Sequence, residues 1–133
     1  MEKLKKSDAE WREQLTDEQY AITRGKGTEL AFTGAYHSDK TPGAYRCVGC
    51  GTLLFESRDK FDSGSGWPSF AKPAVDEAVV KVSDHSHGML RTEVLCAKCD
   101  SHLGHVFDDG PIPTGQRFCI NSAALVLDFR EKK

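Results

Sequence analysis

No apolar run in this chain approaches the roughly 20 residues that a membrane-spanning helix needs, so the reading excludes a membrane protein. An excess of positive charge is missing too. Eighteen Lys+Arg stand against twenty Asp+Glu, a formal charge of -2. A nucleic-acid binder needs a cationic surface to displace counterions from phosphates, so no nucleic-acid partner is expected. Met1-Glu2-Lys3-Leu4-Lys5-Lys6 leads into charge rather than into a signal-peptide core, and the expected location is the cytoplasm. There is no low-complexity stretch, no clear linker, and no internal repeat beyond a duplicated CxxC. With 133 residues, below a typical domain length of roughly 150, one domain over 1–133 is predicted. The 38% apolar and 29% charged fractions fit an ordinary globular protein. Its core is modest, and an added clamp would help it.

What is present begins with helix signals. Ser7-Asp-Ala-Glu10 and Thr16-Asp-Glu-Gln19 both have capping-box spacing, a hydroxyl at the N-cap and Glu or Gln three residues on. Short helices are predicted near 8–14 and 17–23, within an N-terminal segment 1–28 that docks through Trp11, Leu15, Tyr20 and Ile22. Pro42-Gly43 reads as a turn, after which short β-prone runs follow: 44–47, 52–56, 79–82, 90–96, 103–107, 117–121 and 123–129. Turn residues separate them, including Ser63-Gly-Ser-Gly66, Ser86-His-Gly88 and Asp108-Asp-Gly-Pro111. The predicted class is mainly β, antiparallel, with N-terminal helices.

Five cysteines fall as Cys47-Val-Gly-Cys50, Cys96-Ala-Lys-Cys99 and a solitary Cys119. Without an export signal, two CxxC pairs read better as metal ligands than as disulfides. Zinc takes four soft ligands in a tetrahedron, and a two-residue spacer lets one tight turn present two thiolates to one ion. Gly51 suits a knuckle that needs positive φ; the second turn has Asp100 there, so this detail supports one half only. Four thiolates fill the coordination sphere, so the predicted ion is structural, tying together distant parts of the sheet. A thioredoxin-like redox role needs a βαβ setting that is absent. Three cysteines plus His102 would leave one paired thiol without a task.

Cys119 lies in Arg117-Phe-Cys-Ile-Asn121. In a strand, Phe118 and Ile120 face one side while Arg117, Cys119 and Asn121 face the other. A guanidinium beside a thiol favours the nucleophilic thiolate. The plainer alternative is a buried free cysteine acting as a small hydrophobe, and the local sequence leaves both open. His102-Leu-Gly-His105 and Asp109 lie shortly upstream, and histidine suits proton transfer near neutral pH. Strand alternation does not decide whether both histidines reach one pocket. His37, His85 and His87 are read as ordinary surface or structural residues. Gly64-Ser-Gly-Trp67-Pro-Ser-Phe70, taken alone, reads as a loop held on the core by its aromatics; a ligand-facing wall is the functional alternative.

Taken together, these motifs resemble the methionine-R-sulfoxide reductases, the B type of that enzyme pair. The likeness runs from about Glu29 to Asn121. It includes Phe32-Thr-Gly, Tyr45-Arg-Cys-Val-Gly-Cys50-Gly, Phe61-Asp-Ser-Gly-Ser-Gly-Trp67-Pro-Ser-Phe70, His87-Gly, Cys96-Ala-Lys-Cys99, His102-Leu-Gly-His105-Val-Phe and Gly115-Gln-Arg117-Phe-Cys119-Ile-Asn-Ser122. The resemblance implies two small antiparallel sheets and one structural zinc on Cys47, Cys50, Cys96 and Cys99. It also implies a Cys119 nucleophile that becomes a sulfenic acid while oxidised methionine in proteins or peptides is repaired. On that reading His105 protonates the departing oxygen, with His102, Asp109 and Asn121 organising the proton and its water. Arg117 favours the thiolate, and Trp67 and Phe70 bind substrate. Many relatives carry a resolving cysteine where this chain has Ser65, so a thioredoxin-like or small-thiol reductant is expected to attack the sulfenic acid directly. The alternative is a non-enzymatic zinc module binding protein or nucleic acid, which leaves Cys119 and the two histidines without a task.

Overall fold

Two hydroxyl caps start the two helices of the chain. The structure, a computed structural model, describes residues 4–85, 88 and 90–129; His87 lies outside them. Helix α1 spans Asp8–Gln14 and α2 spans Asp17–Thr23. In each, the N-cap side chain accepts from the N3 backbone N–H and the N3 side chain accepts from the N-cap N–H, at 2.9–3.2 Å. Seven residues make too short a helix to persist alone, so both depend on docking. Trp11, Leu15 and Ile22 are buried, and the Arg24 guanidinium stacks over the Trp11 ring at 4.7 Å. No helix among the described residues is long and apolar enough to cross a membrane.

Nine strands follow among the described residues: β1 Gly43–Cys47, β2 Leu53–Glu56, β3 Lys60–Phe61, β4 Ser69–Phe70, β5 Val79–Asp84, β6 Arg91–Cys96, β7 His102–Phe107, β8 Arg117–Ile120 and β9 Leu125–Phe129. They form a three-stranded sheet ordered β2-β1-β9 and a six-stranded sheet ordered β3-β4-β8-β7-β6-β5. Every pairing is antiparallel. The mainly β class with two antiparallel sheets and short N-terminal helices is therefore the observed one. Boundaries differ in small ways. Gly43 already belongs to β1 rather than to a turn, and Ser122–Ala124 coil into a 3-10 turn before β9 begins. Strands β3 and β4, two residues each, had no sequence signal.

The sheets face one another across an aromatic core. Phe55 of β2 stacks on Phe70 of β4 with ring centroids 4.5 Å apart, and Tyr45 of β1 meets the same Phe70 edge-on at 5.1 Å. Phe118, Leu103, Ile120 and Val94 complete it, all fully buried. Phe118 and Ile120 thus occupy the inner face of β8, as alternation requires. The opposite face of that strand carries Arg117 and Cys119.

Candidate active site and metal centre

Strand register brings the reactive residues into one row. Cys119 of β8 is the Cα partner of Ser69 on β4 and of His105 on β7, and His105 is the partner of Glu93 on β6. Directly paired residues share a face, so a thiol, an imidazole and a carboxylate line up across three strands. A cavity of about 220 Å³ opens over this row, lined among others by Cys119, His105, Trp67, Ser65, Arg117 and Asn121. Volume does not single it out. A larger hollow of about 470 Å³ beside His37, Asp39 and Lys60 contains no cysteine.

Simple alternation would send His102 and His105, three residues apart, to opposite faces. The register of β6 with β7 slips between Val94 and Leu95, whose partners are Gly104 and His102. Leu103 is the extra residue, so a β-bulge returns both imidazoles to one side. Their ring centroids lie 5.5 Å apart. Each is held by its own carboxylate: His102 Nδ1 lies 2.7 Å from Glu93 Oε2, and His105 Nε2 lies 2.8 Å from Asp84 Oδ2 at the end of β5. His102 is buried and off the pocket lining; burial pushes its pKa down, against the pull of Glu93.

Arg117 reaches the pocket under tight control. Its guanidinium binds both oxygens of Asp109, at 2.9 and 3.2 Å, and lies 4.6 Å from the Phe107 ring centre. The same bond holds the Asp109 carboxyl below its usual range. Asp109 is exposed and touches the site only through Arg117. Arg117 pulls the Cys119 pKa down, the direction in which a guanidinium favours the thiolate. Burial pushes the Cys119 thiol up, and the opposing pulls of Ser65 and Arg117 do not cancel it. Ser65 Oγ lies 3.9 Å from Cys119 Sγ, so its position is within reach of the thiol but carries a hydroxyl.

The other four cysteines form a second centre. Their Sγ atoms all lie within 4.8 Å of one another, with Cys47–Cys99 and Cys50–Cys96 at 3.6 Å. A tetrahedral ion with metal–sulfur bonds of about 2.3 Å needs sulfurs about 3.8 Å apart, so the donor set fits such an ion. The two turns are built alike. Cys47 N–H donates to Thr52 O and Gly51 N–H to Cys47 O; Cys96 N–H donates to Ser101 O and Asp100 N–H to Cys96 O, all at 2.8–2.9 Å. Both knuckles need the left-handed conformation, and Asp100 adopts it at φ 61° just as Gly51 does at 79°. Asp tolerates this region better than most side chains, so the backbone detail supports both halves. Thr52 and Ser101 hydroxyls stand 3.1 and 3.0 Å from Cys50 and Cys99 sulfurs. The cluster lies where the end of β1 meets the end of β6, so an ion held there would tie one sheet to the other rather than parts of a single sheet. The N-terminal segment covers it, with Gln14 and Arg24 side chains donating to Gly49 O and Cys99 O.

The SelR domain matches residues 15–129, a span that contains both centres. The chain belongs to the SelR-domain family. Its curated relatives include "Peptide methionine sulfoxide reductase MsrB" of Hahella chejuensis, 64% identical over 94% of this chain and 90% of the relative. The proteins of the same name from Pseudomonas fluorescens and Bradyrhizobium diazoefficiens are each 60% identical over 96% of this chain, covering 98% and 91% of their own lengths. The MsrB resemblance drawn from the motifs is therefore a family membership.

Within this SelR-family fold, a third expected site residue joins His102 and Asp109 off the pocket lining. Phe70, expected to bind substrate with Trp67, is fully buried between Phe55 and Tyr45 and does not line the pocket. Two residues separate it from Trp67, but β4 turns it inward. Asn121 lines the pocket yet is nearly enclosed. Its Oδ1 accepts from Glu29 N–H and its Nδ2 donates to Leu103 O, both at 3.1 Å. Glu29 itself had not been singled out, although its carbonyl accepts the Trp67 indole N–H at 3.0 Å and its carboxylate accepts Ala123 N–H. Asp84 and Glu93 had been missed as well. An acid in the middle of the β-prone 90–96 run, just before Val94 and Leu95, was the available signal for Glu93; nothing local marked Asp84.

Proposed function

We propose that this enzyme reduces methionine-R-sulfoxide in proteins and peptides, with Cys119 as nucleophile and a thiol as electron source. The observation that carries this reading is the pairing of Cys119 with His105 across β7 and β8, under a pocket walled by Trp67. The names of the relatives support the reaction class. Cys119 sulfur attacks the sulfoxide sulfur and takes its oxygen. Methionine leaves reduced by two electrons, and Cys119 becomes a sulfenic acid, oxidised by two. His105 supplies the proton to the oxygen as it departs, and Asp84 orients that imidazole. Glu93 orients His102 behind it. Arg117, aimed by Asp109, offsets part of the burial cost of the thiolate. Trp67 packs on the substrate's methyl group, held by Glu29, while Asn121 fastens the Glu29 segment to β7.

The second half-reaction needs an external thiol. Ser65 cannot form a disulfide, and the remaining thiols are clustered in the metal centre. A thioredoxin-like or small thiol attacks the sulfenic acid, releasing water and leaving a mixed disulfide, which a second thiol resolves. We assign the metal as one zinc per chain, held by Cys47, Cys50, Cys96 and Cys99. With four thiolates it has no open position, and it supplies rigidity rather than chemistry. A reducing, cytoplasmic setting fits five free thiols. The test is a diastereomer-resolved assay with a thiol reductant. Wild-type protein is expected to consume the R epimer, and Cys119→Ser to lose turnover while retaining zinc and fold. Full activity in that variant, or turnover of the S epimer alone, contradicts the assignment.

A further inference from the structure

Three serine hydroxyls form a chain that ends beside Cys119. Ser63 Oγ lies 2.8 Å from Ser65 Oγ and 2.7 Å from Ser69 Oγ. Ser65 Oγ lies 3.9 Å from Cys119 Sγ, within reach for a sulfur partner. Ser69 donates to Trp67 O at 3.1 Å. Two backbone groups complete the set: Ser65 N–H donates to Ser63 Oγ and Trp67 N–H donates to Ser65 Oγ.

A serine has one proton to give and two lone pairs to receive, which fixes the direction of every bond. With Ser69 committed to Trp67 O, Ser63 donates to Ser69, and Ser65 donates to Ser63. All three hydroxyls then point away from Cys119, and the thiol S–H donates to Ser65 Oγ. That arrangement suits a neutral thiol and turns a lone pair toward a thiolate. Ionisation calls for the reverse. Ser65 turns to donate to the sulfur, Ser63 donates to Ser65, and Ser69 donates to Ser63. Each oxygen still accepts no more than two bonds; only the Ser69 bond to Trp67 O is given up. The thiol proton leaves to solvent through the pocket mouth, and no proton travels along the chain because each O–H merely rotates.

We propose that Ser65, backed by Ser63 and Ser69, is a catalytic residue whose hydroxyl reverses to hold the Cys119 thiolate. The position that would carry a resolving thiol thus serves the first half-reaction instead. This rests on Cys119 being the reacting thiol. Arg117 on the same strand, His105 on β7, Arg91 at the start of β6 and Glu29 are the other charged or titratable groups facing the pocket or acting on the thiol. Burial and Glu29 push the thiol up while Ser65 and Arg117 pull it down, so removing the Ser65 hydroxyl raises it further.

The experiment reads alkylation of the Cys119 peptide against pH by mass spectrometry, in zinc-loaded protein without substrate. A hydrogen bond to a charged group is strong enough that Ser65→Ala should raise the apparent pKa by about one unit, a tenfold loss of thiolate at neutral pH. Ser63→Ala, which does not touch Cys119, should raise it by a smaller amount. In the double variant Ser63→Ala should add nothing, because it acts only through Ser65. Ser65→Thr, which keeps a hydroxyl, should hold the wild-type value. An unchanged pKa in Ser65→Ala, additive effects in the double variant, or a Ser65→Thr shift equal to that of alanine overturns the proposal. Alkylation needs no turnover, so these failures are distinct from a failure of the reductase assignment.

Discussion

Trp67 and Phe70 sit three positions apart in one motif, one lining the pocket and the other in the core. Trp67 is half-buried and lines the pocket with Cys119, while Phe70 is stacked on Phe55 with no exposure. Composition treats both as apolar aromatics, and the motif alone could not separate them. The difference is set by β4, which pairs Phe70 with Phe118 and turns it into the core. Their truncations should therefore separate cleanly. Phe70→Ala is expected to cost about 3–5 kcal/mol of stability by opening a core cavity, read by urea denaturation. Trp67→Ala should leave stability nearly intact and raise KM for the sulfoxide. A stability loss in the tryptophan variant as large as in the phenylalanine variant would argue against this division.

Elements were legible in proportion to how local their causes are. Both helices were readable because a capping box lies within four residues. The longer strands were readable from alternation and flanking turns. The two-residue strands β3 and β4 were not, since two residues hold no period. The bulge at Leu103 was equally hidden, because it exists only in the register of β7 against β6. Hence the motif could name His102 and His105 but not say whether they share a face. Gly104, inside that segment, leaves no room for a side chain against β8. A Cβ there would meet Cys119 O at 2.0 Å. Gly104→Ala should force the strands apart and cost about 3 kcal/mol, toward the upper end for overpacking. It should also remove activity by moving Cys119 off His105. Unfolding curves and turnover at unchanged values would show that this register is not what builds the site.

At the scale of the whole molecule, the fold separates rigidity from reactivity. Four cysteines cluster where the end of β1 meets the end of β6, under a cover of two short helices. The fifth stands apart on β8, facing a histidine. The CxxC spacing made the clamp readable from sequence, whereas its place between two sheets depends on strand order. On the proposed zinc assignment four thiols are taken by the metal and Ser65 supplies none, so the oxidising equivalent from one sulfoxide is expected on Cys119. Mass spectrometry of the enzyme after one turnover without reductant tests this directly. The expected product carries one added oxygen on the Cys119 peptide, reacts with a sulfenic-acid reagent, and keeps its zinc. Loss of two hydrogens, with Cys119 joined by a disulfide to a former metal ligand, would contradict the one-cysteine cycle.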